Sequence, residues 1–222
     1  MSNQTWWRLC LAAGGLIIFF QAVMASVEDT EACGPDGGLP SILAFELVRS
    51  PADVDALFGD EPCRSRLSQA MDQINKIDAF AFIPVFVSFL VFGAISLRSN
   101  GRRRASLAIA AAIVAGICDQ IEDQILFRIT ANLPGNQSQI DWLFWMVRTK
   151  FALLGVAPTL IGSLLIKAGR WEFVLGIVMV AGGITAVFGT FGHYQLMSPG
   201  IAVGWVALLI AAVKNSFGKP AS

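Results

Sequence analysis

Residues 102–128, RRRASLAIAAAIVAGICDQIEDQILFR, decide which fold this chain can adopt. After the three arginines comes a stretch that is long and apolar enough for one membrane crossing, which takes about 20 predominantly apolar residues. Its acidic side chains lie only near the far end, in the sequence DQIED. Because ionisable residues inside a membrane span are costly and rare, the segment predicts a bundle helix that carries a buried polar site.

The composition of the 222-residue chain agrees with this prediction. Apolar residues make up 55% of the sequence and charged residues 14%, with 16 basic and 16 acidic side chains. Such a chain is too apolar for an ordinary soluble domain and too poor in charge for a disordered one. The net charge of zero argues against nucleic acid as a partner, because phosphate binding needs a basic surplus.

Hydropathy predicts six spans and therefore an all-α, polytopic transmembrane helix bundle. The predicted spans are 6–25, 79–97, 105–127, 142–166, 171–191 and approximately 195–213. The first span also resembles a signal peptide, and if it is cleaved five spans remain. We expect three parts: a signal anchor or first span over residues 1–25, an extracytoplasmic helical cap over 26–76, and a bundle of five helices over 77–222.

The charged residues are sorted along the chain, and their distribution predicts an orientation. Residues 26–78 contain eleven acidic and four basic residues, a net charge of −7. If the N-terminus is cytoplasmic, all of the short basic segments share the cytoplasmic side, as membrane proteins prefer. These segments contain Arg8, Arg102 to Arg104, Lys167 with Arg170, and Lys214 with Lys219. We therefore expect a multi-pass protein of the inner membrane with both termini cytoplasmic and residues 26–76 outside.

The predicted cap contains Cys33 and Cys63, which this orientation places in an oxidising compartment. We expect them to form a disulfide that staples the cap. A catalytic redox pair is the alternative, and the absence of a Cys-x-x-Cys spacing disfavours it. Ser50 followed by proline predicts a helix start, and Gly59 predicts its end. The acidic surface of the cap is either a solvated face or an attractor of cations or a basic partner.

The third predicted span carries three acids, Asp119, Glu122 and Asp123, at spacing i, i+3, i+4. They share one helix face, which continues through small residues that allow a neighbouring helix to approach closely. We therefore expect these carboxylates to point into the bundle. Three buried carboxylates cannot all be ionised without partners, so at least one is predicted to be protonated or to hold a cation.

The fourth predicted span supplies the bases Arg148 and Lys150. Arg148 shares a helix face with Gly155, Thr159 and Gly162, a small and polar face that predicts packing against the third span. An ion pair between Arg148 and Asp119 or Glu122 is the pairing we expect. Lys150 lies on another face and either extends toward the outer boundary or meets another helix. The single histidine, His193, follows the fifth span on the outer side.

Two interpretations of this group remain open at the level of sequence. It is either a buried salt-bridge network that fixes helix packing, or an outward-facing polar cavity that binds a cation, a proton or a polar lipid head. The glycines of the fifth span, Gly176, Gly182, Gly183 and Gly189, predict close helix packing, with a hinge as the alternative.

Two short stretches, Phe45 to Leu47 and Asp119 to Asp123, resemble those of an uncharacterised family of bacterial multi-spanning membrane proteins. The resemblance covers a small part of the chain and implies no activity. It implies that Glu46 belongs with the intramembrane acids as a candidate binding residue. That family usually has asparagine where this chain has Asp123, so the chain departs from the pattern there.

The sequence predicts no cofactor and no dedicated metal site. With one histidine and no Cys-x-x-Cys, multi-histidine zinc and paired haem ligation lack ligands, and the acids alone are weak evidence for Mg²⁺ or Ca²⁺. The first hypothesis is a protein that binds or passes a small cation, proton or lipid. The second is an intramembrane enzyme on a lipid-soluble substrate, with Asp119 and Glu122 as acid and base. The third is an accessory subunit that docks a membrane-protein partner.

Overall fold

The apolar stretches of the sequence form long helices, in which each backbone group finds its partner within the segment. The computed structural model describes residues 2–217, which contain no strand, and helix accounts for 82% of the fold. Lys219, part of the predicted cytoplasmic tail, lies outside the described residues. The α-helices of the described residues are α1 (Asn3–Ala25), α2 (Ser41–Glu46), α3 (Pro51–Phe58), α4 (Cys63–Ile77), α5 (Ile83–Ser96), α6 (Arg102–Ala131), α7 (Gln137–Leu165), α8 (Arg170–Thr190) and α9 (Met197–Phe217).

Six helices of the structure are long and apolar enough to cross a membrane, as the sequence predicted. Four of them are α1, α6, α7 and α8. Another is Cys63–Ser96, in which α4 continues through a π-helical turn, Asp78–Phe82, into α5. The remaining one is Tyr194–Phe217, in which a short 3₁₀ turn leads into α9. The predicted all-α architecture with six apolar helices is therefore confirmed.

The chain divides into two compact units, each made from separated segments. Unit 1 consists of the described residues within Met1–Ile18, Pro84–Gly116 and Lys150–Ser222. Unit 2 consists of Phe19–Ile83 and Ile117–Thr149. Unit 2 thus contains the predicted cap together with the second half of α6 and the first half of α7.

Unit 1 is held together by glycines at which neighbouring helices approach closely. A Cβ atom added to Gly182 of α8 would lie 2.6 Å from the carbonyl oxygen of Gly200 in α9. Likewise, a Cβ atom on Gly176 would lie 2.7 Å from the carbonyl oxygen of Gly162 in α7. These distances are too short for any side chain, so the predicted close packing by the fifth-span glycines is confirmed.

The small face of α7 packs against a different helix from the one expected. A Cβ atom on Gly155 would lie 2.6 Å from the carbonyl oxygen of Gly183, and Gly162 meets Gly176 in the same way. The prediction that this face packs against the third span, α6, is therefore wrong for these glycines. The physical reason is that α8 presents glycines at the same seven-residue spacing, so the two backbones fit together over two helical turns.

Polar contacts in unit 1 join the end of α9 to the start of α1 and to the start of α8. The Gln4 side-chain amide and the Arg8 guanidinium both donate to the backbone carbonyl of Ser216, at 3.1 and 3.5 Å. The Lys214 ammonium lies 2.7 Å from a carboxylate oxygen of Glu172 and joins α9 to α8. The carbonyl groups at the end of α9 have no partner within the helix, so these contacts satisfy groups that would otherwise need water.

Unit 2 contains the predicted disulfide, and Cys33 and Cys63 are bonded. The hydroxyl of Ser50 accepts a hydrogen bond from the backbone N–H of Asp53, at 3.2 Å, and caps α3 as predicted. Gly59 ends α3 with a φ of 57°, a left-handed conformation that favours glycine. The predicted disulfide and the predicted start and end of this helix are therefore confirmed.

Two side-chain hydrogen bonds within unit 2 join α6 to α4 and to the π-helical turn that follows α4. The hydroxyl of Thr130 donates to a carboxylate oxygen of Asp72 at 2.6 Å. Ten residues earlier on α6, the side-chain amide of Gln120 donates to the backbone carbonyl of Ala79, which lies in the π-helical turn. A π-helical turn displaces the regular backbone hydrogen bonds, so a carbonyl there is open to a side-chain donor.

We predict that Gly182→Ile lowers the free energy of unfolding by at least about 2 kcal/mol, because overfilling a close-packed contact displaces both helices. The measurement is reversible unfolding of the purified protein in detergent. The matched control is Gly15→Ile in α1, since a Cβ atom there has no neighbour within 4 Å. Equal stability of the two variants would contradict the close packing of α8 against α9.

Candidate functional site

Three acids of α6 form the core of the candidate site in unit 2. Asp119 is 4% exposed, and Glu122 and Asp123 are each 1% exposed, so their predicted burial is confirmed. The same face of α6 continues through Ala108, Ala112 and Ala115, all of which are fully buried. The i, i+3, i+4 spacing placed the carboxylates on this face because it matches the helical period.

Each of these acids is engaged by a neighbouring group. Asp119, Glu122 and Asp123 all take part in hydrogen bonding, ion pairing or another electrostatic interaction, and so do Arg148 and Lys150. A buried salt-bridge cluster is present in the fold. Removing a carboxylate from water costs several kcal/mol unless compensating charges and donors surround it, so such engagement is a physical requirement here.

Lys150 is the most deeply buried base of α7, with 4% of its surface exposed. It lies on the buried stripe of α7, between Val147 and Leu154, and its ammonium nitrogen is 4.7 Å from the centroid of the Phe151 ring. The sequence left two alternatives for Lys150, and burial favours the one in which it meets neighbouring structure over the one in which it extends toward the boundary. Lys150 belongs to unit 1, as the first residue of its last segment.

Arg148 is half-buried and belongs to unit 2. Its guanidinium reaches back along α7 by one turn, and its Nη1 donates to the backbone carbonyl of Phe144 at 3.3 Å. The guanidinium carbon lies 3.7 Å from the centroid of the Phe144 ring, a distance typical of a cation–π contact. The pairing of Arg148 with Asp119 or Glu122 stays a prediction.

The other two candidate residues lie in different parts of the chain. Glu46, the last residue of α2, is buried at 9% exposure in unit 2 and takes part in a polar or electrostatic interaction. His193 is exposed in unit 1, where its ring stacks on Phe188 with 4.7 Å between the centroids. Glu46, Arg148 and the three acids of α6 thus all belong to unit 2, whereas His193 belongs to unit 1.

The sequence did not identify Asn75 of α4, which is 1% exposed in unit 2. Its amide nitrogen is buried without a hydrogen-bond partner among residues 2–217. A buried amide donor without a partner is costly, so such a group marks a position that is worth testing for a ligand or water. The sequence feature that could have indicated its burial is the spacing of four residues from Met71, because this spacing places Asn75 on the same apolar face of α4.

Two openings lie in unit 2. The larger, with a volume of about 550 Å³, is lined by apolar residues such as Met71 together with Glu31 and Asp36. The other, of about 440 Å³, is lined by Arg49, Ile140, Asp141, Phe144 and Trp145. Among residues 2–217, no group of three or more His, Cys, Asp or Glu side chains has an arrangement that could hold a metal ion.

We predict that Lys150→Met destabilises the protein by about 3 kcal/mol or more, because it removes a buried positive charge and leaves the groups that engage it without their partner. Lys167→Met is the matched control, since Lys167 is exposed just beyond the end of α7. Unfolding of the two variants in detergent, compared with that of the unmodified chain, measures the effect. If Lys150→Met is as stable as the control, the Lys150 ammonium does not compensate a buried charge.

No protein-family model, no curated protein and no solved structure matches the chain. The short resemblance around Glu46 and Asp119 therefore adds no activity. The function has to be argued from the burial, charge and contacts of the residues themselves.

Proposed function

We propose that this chain is a multi-pass protein of the inner membrane, in which the buried acids of α6 bind or pass a proton or small cation. Both termini are cytoplasmic in this proposal, and residues 26–76 lie outside. The main observation that supports the proposal is the burial of three carboxylates, Asp119, Glu122 and Asp123, on one face of a helix that is long and apolar enough to span a membrane.

Exposed apolar side chains support membrane insertion. On α8 the residues Phe173, Ile177, Ile184 and Phe188 are 47% to 58% exposed. Soluble proteins rarely expose contiguous apolar surfaces of this extent, whereas lipid requires them. Three tryptophans at helix ends, Trp142, Trp145 and Trp171, are more than 60% exposed, as is typical of residues at the boundary between membrane and water.

The basic residues support the orientation. Arg102, Arg103 and Arg104 are exposed at the start of α6, and Lys167 is exposed in the connection between α7 and α8. The arginines lie at the start of α6, and Lys167 follows the end of α7. Because successive spans cross the membrane in opposite directions, the start of α6 and the end of α7 are on the same side. The positive-inside rule assigns that end to the cytoplasm. The acidic segment 26–76 then lies on the opposite side.

The close spacing of the buried acids supports a role in binding a proton or cation. Asp119, Glu122 and Asp123 lie within five residues of one helix and would carry three negative charges if all were ionised. Like charges this close oppose one another's ionisation, and every buried charge costs several kcal/mol to remove from water. At least one of the carboxylates is therefore best neutralised by a proton or a small cation, which can enter and leave.

The orientation predicts opposite labelling of two cysteine variants. Ser138→Cys lies in an exposed position at the start of α7, and Ser99→Cys lies in the exposed connection between α5 and α6. A membrane-impermeant maleimide added to intact cells is expected to label Cys at position 138, and to label position 99 only after permeabilisation. The native Cys10 and Cys118 are buried, and Cys33 and Cys63 are bonded, so the background is low. The reverse labelling would refute the orientation.

The double variant Asp119→Asn with Glu122→Gln tests the proposed activity. Amides keep the size of the side chains and remove the exchangeable protons and negative charges. We expect infrared difference spectra of the purified protein to lose a pH-dependent carboxyl signal. In vesicles with a pH dye inside, any proton or cation flux of the unmodified protein is expected to fall by about tenfold or more, as for loss of a buried charged group.

The control pair is Glu28→Gln with Asp60→Asn, which makes the same chemical changes at exposed acids. Gel filtration shows whether each pair folds. If the folded Asp119/Glu122 variant keeps the carboxyl signal and any flux of the unmodified protein, the acids serve helix packing alone. If it loses both while the control retains them, the proposed role stands.

A further inference from the structure

A buried hydrogen-bond donor lies between α4 and α6, within unit 2. Asn75 of α4 is 1% exposed, and its amide nitrogen has no hydrogen-bond partner among residues 2–217. It lies three residues after Asp72 and four before Ala79, both of which are hydrogen-bonded to α6. Residues three and four apart share one side of a helix, so the Asn75 side chain lies on the side of α4 that faces α6. A buried donor without a protein partner is costly, which indicates a ligand or a water molecule at this place.

The buried acid Asp123 lies on the facing side of α6. The two hydrogen bonds between the helices join the later residue of α6 to the earlier residue of α4, so the helices run antiparallel here. Asp123 lies between the two bonded residues of α6, Gln120 and Thr130. At about 100° per residue it is about 20° from Thr130 and about 60° from Gln120 around the helix axis. Asp123 therefore shares the side of α6 that contacts α4.

The positions of Asn75 and Asp123 along the helices suit one water molecule between them. Interpolation between the two hydrogen bonds puts Asn75 level with position 126 of α6, about 4.5 Å along the axis from Asp123. Because the amide nitrogen has no partner among the described residues, it does not bond directly to the carboxylate. A water molecule with two hydrogen bonds of about 2.9 Å spans such a gap. Asp123 is already engaged by another group, and a carboxylate can accept several hydrogen bonds, so it can also accept one from water.

Thr130 offers the same water molecule a third partner. Its hydroxyl donates to a carboxylate oxygen of Asp72 at 2.6 Å, which leaves the lone pairs of the hydroxyl oxygen able to accept. The carbonyl oxygens of Leu126 and Phe127 lie 3.2 Å from the same hydroxyl, so its proton has other acceptors to which it can turn. With Asn75 as donor and Thr130 and Asp123 as acceptors, the water molecule would make three hydrogen bonds, as is typical of buried water.

Asp72 connects this group to the solution. It is only partly buried, whereas Thr130 is buried. The other titratable side chains of the same stretch of α4, its π-helical turn and α6 are Lys76 and Arg128, which are exposed, and Asp78, which is engaged by another group. The hydrogen bond from Thr130 makes Asp72 the acid of α4 that leads into α6.

We infer that Asn75 positions a water molecule through which protons pass between the solution and the acids of α6. The route runs from Asp72 through the Thr130 hydroxyl and the water molecule to Asp123. For each proton that the Asp72 carboxylate takes up, one arrives at the Asp123 carboxylate, and the hydroxyl and the water each gain one proton and lose one. Asn75 is a positioning residue, because its amide neither gains nor loses a proton. The inference rests on the proposed function, in which the acids of α6 take up a proton.

The test is the rate at which buried protonated carboxyl groups exchange in D₂O, followed by infrared spectroscopy of the purified full chain in detergent. Asn75→Leu nearly keeps the size of the side chain and removes the donor. We expect the exchange to slow by about tenfold or more, as for loss of one hydrogen bond on the route. Gln73→Leu is the matched control, since Gln73 is an exposed amide of the same helix. Gel filtration shows whether each variant folds.

Thr130→Val tests the route at a second position, because valine has a similar size and lacks the hydroxyl. We expect exchange to slow by about tenfold here too. The double variant with Asn75→Leu is expected to be no slower than the slower single variant, since either change already interrupts the route. Thr190→Val is the matched control, because the buried Thr190 hydroxyl donates to a carbonyl oxygen of its own helix at 3.0 Å.

Two results would overturn the inference alone. They are exchange in Asn75→Leu at the rate of Gln73→Leu, and a double variant that is slowed by the product of the two single effects. If Asn75→Leu does not fold, the comparison of Thr130→Val with Thr190→Val decides. The proposed function fails separately, if the Asp119/Glu122 variant keeps the pH-dependent carboxyl signal of the unmodified chain. Absence of any exchanging buried carboxyl in the unmodified chain would refute both.

Discussion

The burial of three carboxylates on one face of α6 is the constraint on which the rest of the fold depends. Asp119, Glu122 and Asp123 are nearly inaccessible, and each would cost several kcal/mol if its charge were left without compensation. All three acids are engaged by other groups, as this constraint requires. The acids of α6 lie within five residues, little more than one turn of the helix. Their charge is therefore concentrated at one level of α6.

The glycine contacts of unit 1 fix three of its helices against one another. α7 runs from unit 2 into unit 1, where Gly155 and Gly162 contact α8 without any intervening side chain. α8 contacts α9 in the same way through Gly182 and Gly200. Packing of backbone against backbone leaves little freedom for a helix to slide or rotate, because every displacement brings main-chain atoms into collision. Lys150 lies on the buried side of the helix that these contacts hold in place.

Much of the architecture could be predicted because it follows from periodicity and local chemistry. The six apolar helices, the Ser50 cap, the Gly59 turn and the burial of the α6 acids each depend on residues close together in the sequence. The contacts that could not be predicted are those of residues whose environment is formed by an element far away in the sequence. A helical wheel gave the face of α7 on which Lys150 lies, but not the groups that its side chain meets. It also gave the small face of α7, but not the helix that carries the matching glycines, which is α8. Asn75 was missed because one amide in an amphipathic helix is usually exposed.

The chemistry of the charged residues limits where the charge of the buried cluster can change. An arginine guanidinium keeps its proton throughout the physiological range, so Arg148 is a constant positive charge wherever its side chain extends. A carboxyl or an ammonium group can release a proton, so the acids of α6 and Lys150 are groups of variable charge. Amides are permanently neutral, so Asn75 and Gln120 add hydrogen-bonding groups without charge. α6 is therefore the helix on which three groups of variable charge are concentrated.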